Sequence, residues 1–569
     1  MNARKHDVII LGSGLAGLRA AIEVARHSEL DVAIIAKSHL TRPHSVSAEG
    51  GTAAVMQPEN GDSLELHAWD TIKGSDFLAD QDVVFRFVQE APKEILLLDH
   101  WGIPWSRRDD GHIAQRPFGG HTFDRATFAA DKTGFFEVHA LYDTMQKFPN
   151  VTRYDECYVS SILVENKTFR GITAWDLTRG EFFPIQAKAL IIATGGACRM
   201  FAFTTYSLTA TGDGMEMAYR AGLPLKDMEF IQFHPTGLVP SGILITEAAR
   251  GEGGYLFNNK TERFMEKYAK GRMELSPRDV ISRSETTEIE QGRGFTGPDG
   301  LDYVHLDLRH LGAERINERL PLIREVAMRF SFIDPIKEPI PVRPVAHYTM
   351  GGIHTNIEGA TPVAGIWAAG EVACESLHGA NRLGANSTAE CLVWGKITGN
   401  QAANYAARQK TPPSLPQEKV LKDEEARVFQ RFKPDGKESS YAIRKELTKA
   451  MDTQVGVFRT SADLASALSK VKELKQRMGE ARVTDRGRIF NTDLVSALET
   501  ETLVVLAEVV VAGALAREES RGAHSRRDFP QRDDAKWLKH TLAYSTPAGP
   551  RLDYSPVNIT TWKPEERKY

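Results

Sequence analysis

Three glycines near the start of the chain are spaced to hold phosphate. Gly12, Gly14 and Gly17 fit G-x-G-x-x-G, a spacing that serves the pyrophosphate of a dinucleotide. The first glycine allows a tight turn, the second lets the phosphates approach the backbone, and the third lets a helix pack closely on a strand. The phosphates then rest on the helix N-terminus, where free N–H groups and the helix dipole favour anions. A missing residue narrows the choice of dinucleotide. About 20 residues after the glycines an Asp or Glu usually takes the ribose 2′-OH of NAD. Here that place holds Ala36-Lys37-Ser38, which favours a flavin dinucleotide gripped by other parts of the chain.

The elements that must position this loop follow from the residues beside it. Val8 to Leu11 is an apolar run of the kind a buried parallel strand needs on both faces. Leu18 to Ala25 predicts a helix, and Asp31 to Ala36 a second buried strand that closes a β-α-β unit. Thr41 to Gly51 is a small-residue loop suited to close contact with a ligand. Short β runs between about 151 and 188 predict a meander. Ala189 to Ala193 is another buried strand ending in the close-approach turn Thr194-Gly195-Gly196, and Thr211-Gly-Asp-Gly-Met215 opens a helix. From about 233 to 344 the pattern shifts to mixed helices and charged loops, as for an inserted domain. The first pattern resumes near 345, with Gly365 to Glu371 as strand and turn and Leu377 to Asn400 glycine-rich and then helical. Gln409 to Gln417, with three prolines, reads as a linker. Positions 418 to 520 have helical spacing throughout, and the segment from about 521 reads as irregular and charged.

Composition bounds the function. A chain of 569 residues exceeds what one core supports and predicts two to four lobes. With 41% hydrophobic and 26% charged residues and a net charge of −4, it has no basic stripe for nucleic acid. Cys157, Cys198, Cys374 and Cys391 are widely spaced without C-x-x-C. That suggests a reducing compartment and no metal site or iron–sulfur cluster within this chain. No secretory signal is expected before the first strand. The most apolar stretch, Leu503 to Ala516, is interrupted by Glu508 and falls short of the roughly 20 residues of a membrane span; a buried helix is expected there.

Several further stretches carry a family resemblance. They are Arg42-Pro-His-Ser-Val-Ser-Ala-Glu-Gly-Gly51, Phe233-His-Pro-Thr-Gly237, Thr246-Glu-Ala-Ala-Arg-Gly-Glu-Gly-Gly254, Pro277-Arg-Asp279, His347-Tyr-Thr-Met-Gly-Gly352 and His378-Gly-Ala-Asn-Arg-Leu-Gly-Ala-Asn-Ser387. With these in order, and with Glu519 to Pro530 and the closing Pro564 to Tyr569, the chain resembles the flavoprotein subunit of succinate dehydrogenase and fumarate reductase over its whole length. The resemblance implies an α/β fold: a Rossmann-like FAD-binding domain (1–232 and 345–413) with an inserted α+β capping domain (233–344), then a helical domain (414–525) and a small C-terminal segment (526–569).

The resemblance also implies roles. His44 would carry FAD through a covalent bond to the 8α-carbon of the isoalloxazine. Gly12, Gly14, Ala16, Gly17, Lys37, Ser38, Ser45, Gly50, Gly51, Thr194, Gly195, Asp213, Glu371, Ser387 and Thr388 would hold the rest of the cofactor. His347 and Arg382 would bind one substrate carboxylate, and an Arg fork suits that bidentate task. His234 and Thr246 would bind the other, so the substrate would lie where the inserted domain meets the flavin domain. Arg278 would move a proton to or from the substrate carbon, with Glu247 and Arg250 as its relay. A free guanidinium hardly deprotonates. The helix start predicted at Ser276-Pro277, with Ser276 as N-cap, would ease this by setting the positive end of a helix dipole beside Arg278. The expected activity is interconversion of succinate and fumarate, with electrons leaving to a separate iron–sulfur subunit and, through a membrane anchor, to quinone. The chain would then sit peripherally on the cytoplasmic side of the cell membrane. L-aspartate oxidases share the fold, and Ala389-Glu-Cys-Leu-Val393 has some of their character, but their loop lacks the counterpart of His44.

Overall fold

The computed structural model describes residues 2–432 and 436–568. In it the run Val8–Leu11 is the central strand of a five-stranded sheet, in the order Ile366–Ala368, Ala189–Ile192, Val8–Leu11, Val32–Ile35 and Val151–Tyr154. Every pair is parallel, with Val8 opposite Val32 on one side and Ala189 on the other. The three inner strands are buried at every position, as strands covered on both faces must be. The first helix runs Leu15–Ala25 and starts three residues earlier than Leu18, because the extended Gly14 is already its N-cap. Gly17 therefore falls within its first turn. All eleven residues of this helix are buried. Helix Asn386–Arg408 lies across it so closely that a Cβ on Gly395 would stand 2.7 Å from the Ala16 carbonyl oxygen.

Three of the β runs expected between 151 and 188 form an antiparallel meander, Cys157–Glu165, Thr168–Asp176 and Glu181–Gln186, while Val151–Tyr154 leaves it for the parallel sheet. A second antiparallel sheet joins Ile231–Leu238, Ile340–Thr349, Val304–Asp307 and Tyr255–Phe257. It carries helices Arg278–Glu288, Gly312–Arg319 and Pro321–Ser331 around a core of its own. Its two framing strands follow Leu225–Lys226 and precede Gly352–His354, which pair in a separate mixed sheet of the first body, so residues at their ends can reach a site between the two bodies.

Helices Ser440–Gln454, Ser461–Met478 and Thr492–Ala516 pack together beyond the linker. The last is buried along most of its length. It tolerates Glu508 because Lys475 Nζ stands 2.6 Å from its carboxylate. No helix among the described residues is long and apolar enough to cross a membrane. Residues 433–435, inside the span expected to be helical, lie outside the described residues.

The segment from 521 departs from expectation. It is not irregular: Lys539–Tyr544 and Arg551–Pro556 form a hairpin that extends a mixed sheet through Leu225–Lys226. The outer strand has no buried residue, so it shows none of the apolar alternation that marks a strand. Many of the charges beside the hairpin are not solvated but buried in pairs. Arg517 Nε donates to Glu229 at 2.8 Å and Arg521 Nε to Glu519 at 2.8 Å, while the buried Arg526 reaches outward, its Nε donating to the exposed Asp528 at 2.9 Å. Near the end of the chain Arg567 forms a two-pronged bond to Asp279, at 3.1 and 3.0 Å. The tail is thereby fastened to the helix that carries Arg278.

Candidate functional site

The glycine loop, the His44 loop, the turn at Thr194 and the framing strands of the inserted body enclose one cavity of about 860 Å³. Its inner end is a cradle only glycine can make. Gly12 has φ +109°, and a Cβ there would lie 2.2 Å from the Ala193 carbonyl oxygen; on Gly17 it would lie 2.0 Å from that of Gly12. Gly14 and Ala16 line the cavity, whereas Gly17 lies behind it, serving helix–strand packing. No side chain caps the helix at Gly14, so its first N–H groups face the cradle, with Leu15 N donating to Ser45 Oγ at 3.3 Å. Gly195 has φ +75° with open space where a Cβ would stand, and the buried Thr194 hydroxyl has no partner. Lys37 and Ser38 occupy the place of the missing acid. Lys37 Nζ reaches Asp213 Oδ2 at 2.5 Å and Thr211 Oγ1 at 2.8 Å. Gly51 has φ +135°, where any Cβ would meet the Thr127 carbonyl oxygen at 2.6 Å, and Gly50 beside it lines the same wall. Thr388 Oγ1 donates to Gly51 O at 3.0 Å, and Ser387 Oγ accepts from Arg382 Nη1. A glycine cradle, bare turns and an orphaned hydroxyl on one elongated cavity fit a dinucleotide such as FAD.

His44 opens a short 3-10 turn on the cavity wall. Its ring stacks on Tyr206, with centroids 4.6 Å apart, and Nδ1 accepts from the Ser207 backbone N–H at 3.3 Å. Burial, helped by the Arg199 charge, pushes its pKa down to about 4. The imidazole is therefore neutral, the form that can act as a nucleophile. Tyr206 also donates to Glu371, whose Oε1 accepts from Thr349 N at 2.9 Å. Burial pushes the Glu371 carboxyl up to about 8.

At the other end the framing strands bring two histidines together, His234 and His347, with ring centroids 5.0 Å apart. Thr236 N donates to His234 Nδ1 at 3.2 Å, which leaves the ring proton on Nε2 as a donor. Thr205 Oγ1 lies 2.8 Å from His347 Nδ1. Burial, with the arginines near them, holds both rings well below the usual histidine range, so both are neutral. Thr246 completes this wall. Arg382 lies over the Tyr348 ring at 4.2 Å, and its buried Nη2 has no partner. Arg278 Nε donates to Glu247 Oε2 at 2.8 Å, and Glu247 Oε1 accepts from Gly119 N at 2.6 Å. Arg250 does not reach the cavity; it stands behind, with Nη2 3.8 Å from Glu247 Oε2. Burial would raise the Glu247 carboxyl, but Arg278 and Arg250 hold it below its ordinary value. Three guanidiniums against one carboxylate, with neutral histidines between, leave an excess of two positive charges. That suits a dianion.

Arg278 is the first residue of its helix. Ser276 does not cap it: Pro277, with ψ 150°, stays extended in the N-cap place, and the buried Ser276 hydroxyl bonds to nothing. Burial lowers the Arg278 guanidinium most, Glu247 pulls it back up, and Arg382 and Arg250 lower it again, to about 10. A group so placed can give up a proton far more readily than a free arginine, at about 12.5 or above.

Sequence reasoning missed Gln232. Its Oε1 accepts from Arg278 Nη1 at 3.0 Å and from Arg382 Nε at 3.3 Å, and its Nε2 donates to Arg382 O at 2.7 Å. The signal was present, since Gln232 lies two residues before His234 on one strand and so shares its face. Gln232→Leu would leave two buried charged donors without that acceptor, a cost of about 1–3 kcal/mol or more. We expect kcat/KM to fall about 10–100-fold, since 1.4 kcal/mol is tenfold. Unchanged steady-state kinetics would show that Gln232 positions neither arginine.

Comparison with known proteins places this geometry. Residues 7–388 match the family model for the FAD binding domain, and 444–569 that for the fumarate reductase flavoprotein C-terminus. The chain is 46% identical over 581 residues to a fumarate reductase flavoprotein subunit of Mycobacterium tuberculosis (strain ATCC 25618 / H37Rv), covering 99% of each chain. It is 42% identical over 584 residues to a succinate dehydrogenase flavoprotein subunit of Rickettsia bellii (strain RML369-C), covering 99% of this chain and 96% of that one. A solved structure of Escherichia coli quinol fumarate reductase superposes with a TM-score of 0.96 at 44% identity, covering 100% of this chain and 99% of the other.

Proposed function

The chain belongs to the fumarate reductase and succinate dehydrogenase flavoprotein family, and from that premise we propose that it interconverts succinate and fumarate on an FAD bound covalently through His44. The observation that carries the reading is the excess of two positive charges around His234 and His347, with Arg278 and Arg382 facing the flavin cradle in one cavity and Arg250 standing behind them. FAD, when bound, supplies the two-electron acceptor and donor. His347 and Arg382 hold one carboxylate of the substrate, and His234 and Thr246 hold the other. Being neutral, the histidines donate hydrogen bonds without competing for the proton. Arg278 takes the proton from the substrate carbon in oxidation and returns it in reduction. Glu247 and Arg250 carry that proton onward, and Gln232 keeps both cavity arginines aimed. The inserted body at 233–344 closes over the flavin domain (1–232 and 345–413) and excludes water from the reaction. The helical domain is read as 414–525 and the C-terminal segment as 526–569.

Electrons leave to an iron–sulfur subunit and, through a membrane anchor, to quinone. The name of the E. coli protein, a quinol fumarate reductase, supports quinone as the distant electron partner. The chain then sits peripherally on the cytoplasmic side of the membrane through its partners.

The test is turnover in both directions with an artificial electron carrier, on protein made with its native maturation machinery and then precipitated in acid. We expect succinate oxidation, fumarate reduction and a yellow pellet. A yellow supernatant over a colourless pellet would refute the bond at His44. Peroxide formed from aspartate, with no succinate turnover, would replace the reading with an L-aspartate oxidase.

A further inference from the structure

Behind the cofactor cavity lies a carboxyl without a charge to pair with. Glu137 stands in the second turn of helix Thr133–Met145, which backs the His44 loop, where Gly134 N donates to Ala48 O at 2.7 Å. Glu137 is 0% exposed, its Oε2 has no hydrogen-bond partner, and it forms no ion pair among the described residues. Its Oε1 lies 2.5 Å from Thr52 Oγ1, which lies 2.9 Å from Thr388 Oγ1. Thr388 Oγ1 in turn lies 3.0 Å from Gly51 O. Gly51 and Thr388 line the cavity, and Glu137 and Thr52 stand behind them. Three hydrogen-bond contacts thus lead in a row from a buried carboxyl to the cofactor wall.

Counting protons fixes the direction of this row. Each contact is at O–H···O distance, and each needs a proton of its own. Thr52 and Thr388 supply one apiece, and the Gly51 carbonyl supplies none. The remaining proton must come from the carboxyl, so Glu137 donates to Thr52, Thr52 to Thr388, and Thr388 to Gly51. Burial favours the same state, pushing the carboxyl up to about 8 against the pull of the Thr52 hydroxyl. The groups packed around the helix offer no counter-charge. Arg19 is spent on Glu23 and Glu94, from helices Leu15–Ala25 and Gln81–His100. His44 is neutral. The Cys391 thiol, which feels any charge on Glu137, is itself held well above its ordinary range by burial.

We propose that Glu137 is a positioning residue of the FAD pocket, a hydrogen-bond donor that orients Thr52 and Thr388 and so holds the Gly50–Gly51 wall against the cofactor; the proposal rests on the cofactor read above. Gly51 sits at φ +135°, and the Thr388 bond anchors its carbonyl. With the carboxyl proton in place all three bonds form and the wall is fixed. Without that proton one bond of the three is lost, and a bare charge stands behind the wall. What the pocket uses is therefore the donor and not the anion. An amide, which also donates, can replace the acid, whereas an apolar side chain of similar size cannot.

The experiment measures FAD affinity by flavin fluorescence in the His44→Ser chain, where binding is reversible. Glu137→Gln, Glu137→Met and Thr388→Val are added to it singly, and Glu137→Met also together with Thr388→Val. Gln keeps an N–H donor, so its affinity should stay within about twofold of the parent. Met removes the donor, and affinity should fall about three- to tenfold, the worth of one hydrogen bond. Beside Thr388→Val, where the row is already cut, Met should cost less than about twofold more. The carboxyl is neutral below about pH 8 and charged above it. Parent affinity should therefore fall as pH rises through that value, while the Gln variant, with no proton to lose, shows no such step. Gln weakening FAD as much as Met would overturn the proposal, because the pocket would then need the anion. Met costing its full factor beside Thr388→Val would also overturn it, because Glu137 would then act on the fold and not through the row. If Met prevents folding, the Gln affinity and its pH profile decide. If the His44→Ser chain holds no FAD, the same variants are compared for covalent loading at limiting FAD. A wild-type chain that takes up no FAD in any form would overturn the cofactor reading and this proposal with it.

Discussion

Arg278→Gln should abolish turnover while leaving a dicarboxylate inhibitor bound. General acid–base steps contribute about 10²–10⁴-fold, and among the described residues Arg278 is the only cavity-lining guanidinium paired to Glu247, the proposed relay, at 2.8 Å. Its loss should therefore cost about 10³-fold or more in both directions. Binding should weaken far less. Arg382, His347, His234 and Thr246 keep their places, and the charge excess falls only from two to one. Rapid-kinetic turnover alongside inhibitor titration checks the pair of outcomes. Turnover within about tenfold of wild type would assign the proton to another residue, and loss of inhibitor binding in parallel would make Arg278 a binding residue.

His44→Ser should separate holding the flavin from tuning it. The glycine cradle, the Thr194–Gly195 turn and Glu371 remain, so FAD should still bind. An imidazole substituent at the 8α-carbon withdraws electron density and raises the flavin's potential. Without it, oxidising succinate becomes the harder direction. For a two-electron couple, roughly 30 mV shifts the equilibrium about tenfold, so even a modest fall removes most succinate oxidation. Fumarate reduction with an artificial donor should keep much of its rate. Both directions are measured on one preparation, normalised to bound FAD. Equal losses would mean that His44 serves binding or folding and not the potential.

Much of the site was legible because it is local. The strand, the three glycines and the first helix fall within 18 residues, and each constrains its neighbours. The residues proposed to hold substrate lie on short motifs that family resemblance reads directly. Tyr206 and Thr205 were not legible, since they stand in a loop without periodicity and meet Glu371 and His347 at separations of 165 and 142 residues. The C-terminal hairpin escaped for a different reason. Its charges look solvated in sequence, yet Arg517 finds Glu229 across 288 positions. Pairing at such distance leaves no local trace. The Ser276 cap failed by one residue, because the extended ψ of Pro277 delays the helix.

The first helix has a consequence for how the chain is made. Leu15–Ala25 is buried at every position, yet much of its cover is Asn386–Arg408, more than 360 residues later. During synthesis the central strand must also wait for Ala189–Ile192 before it has a neighbour on that side. Contacts this remote close slowly, because loop entropy is lost before they repay it. For most of translation, therefore, an apolar helix and an unpaired strand edge stand open beside the ribosome. The phosphate cradle emerges long before the elements that finish it, so the nascent chain needs protection from its own kind well before it can take up a cofactor.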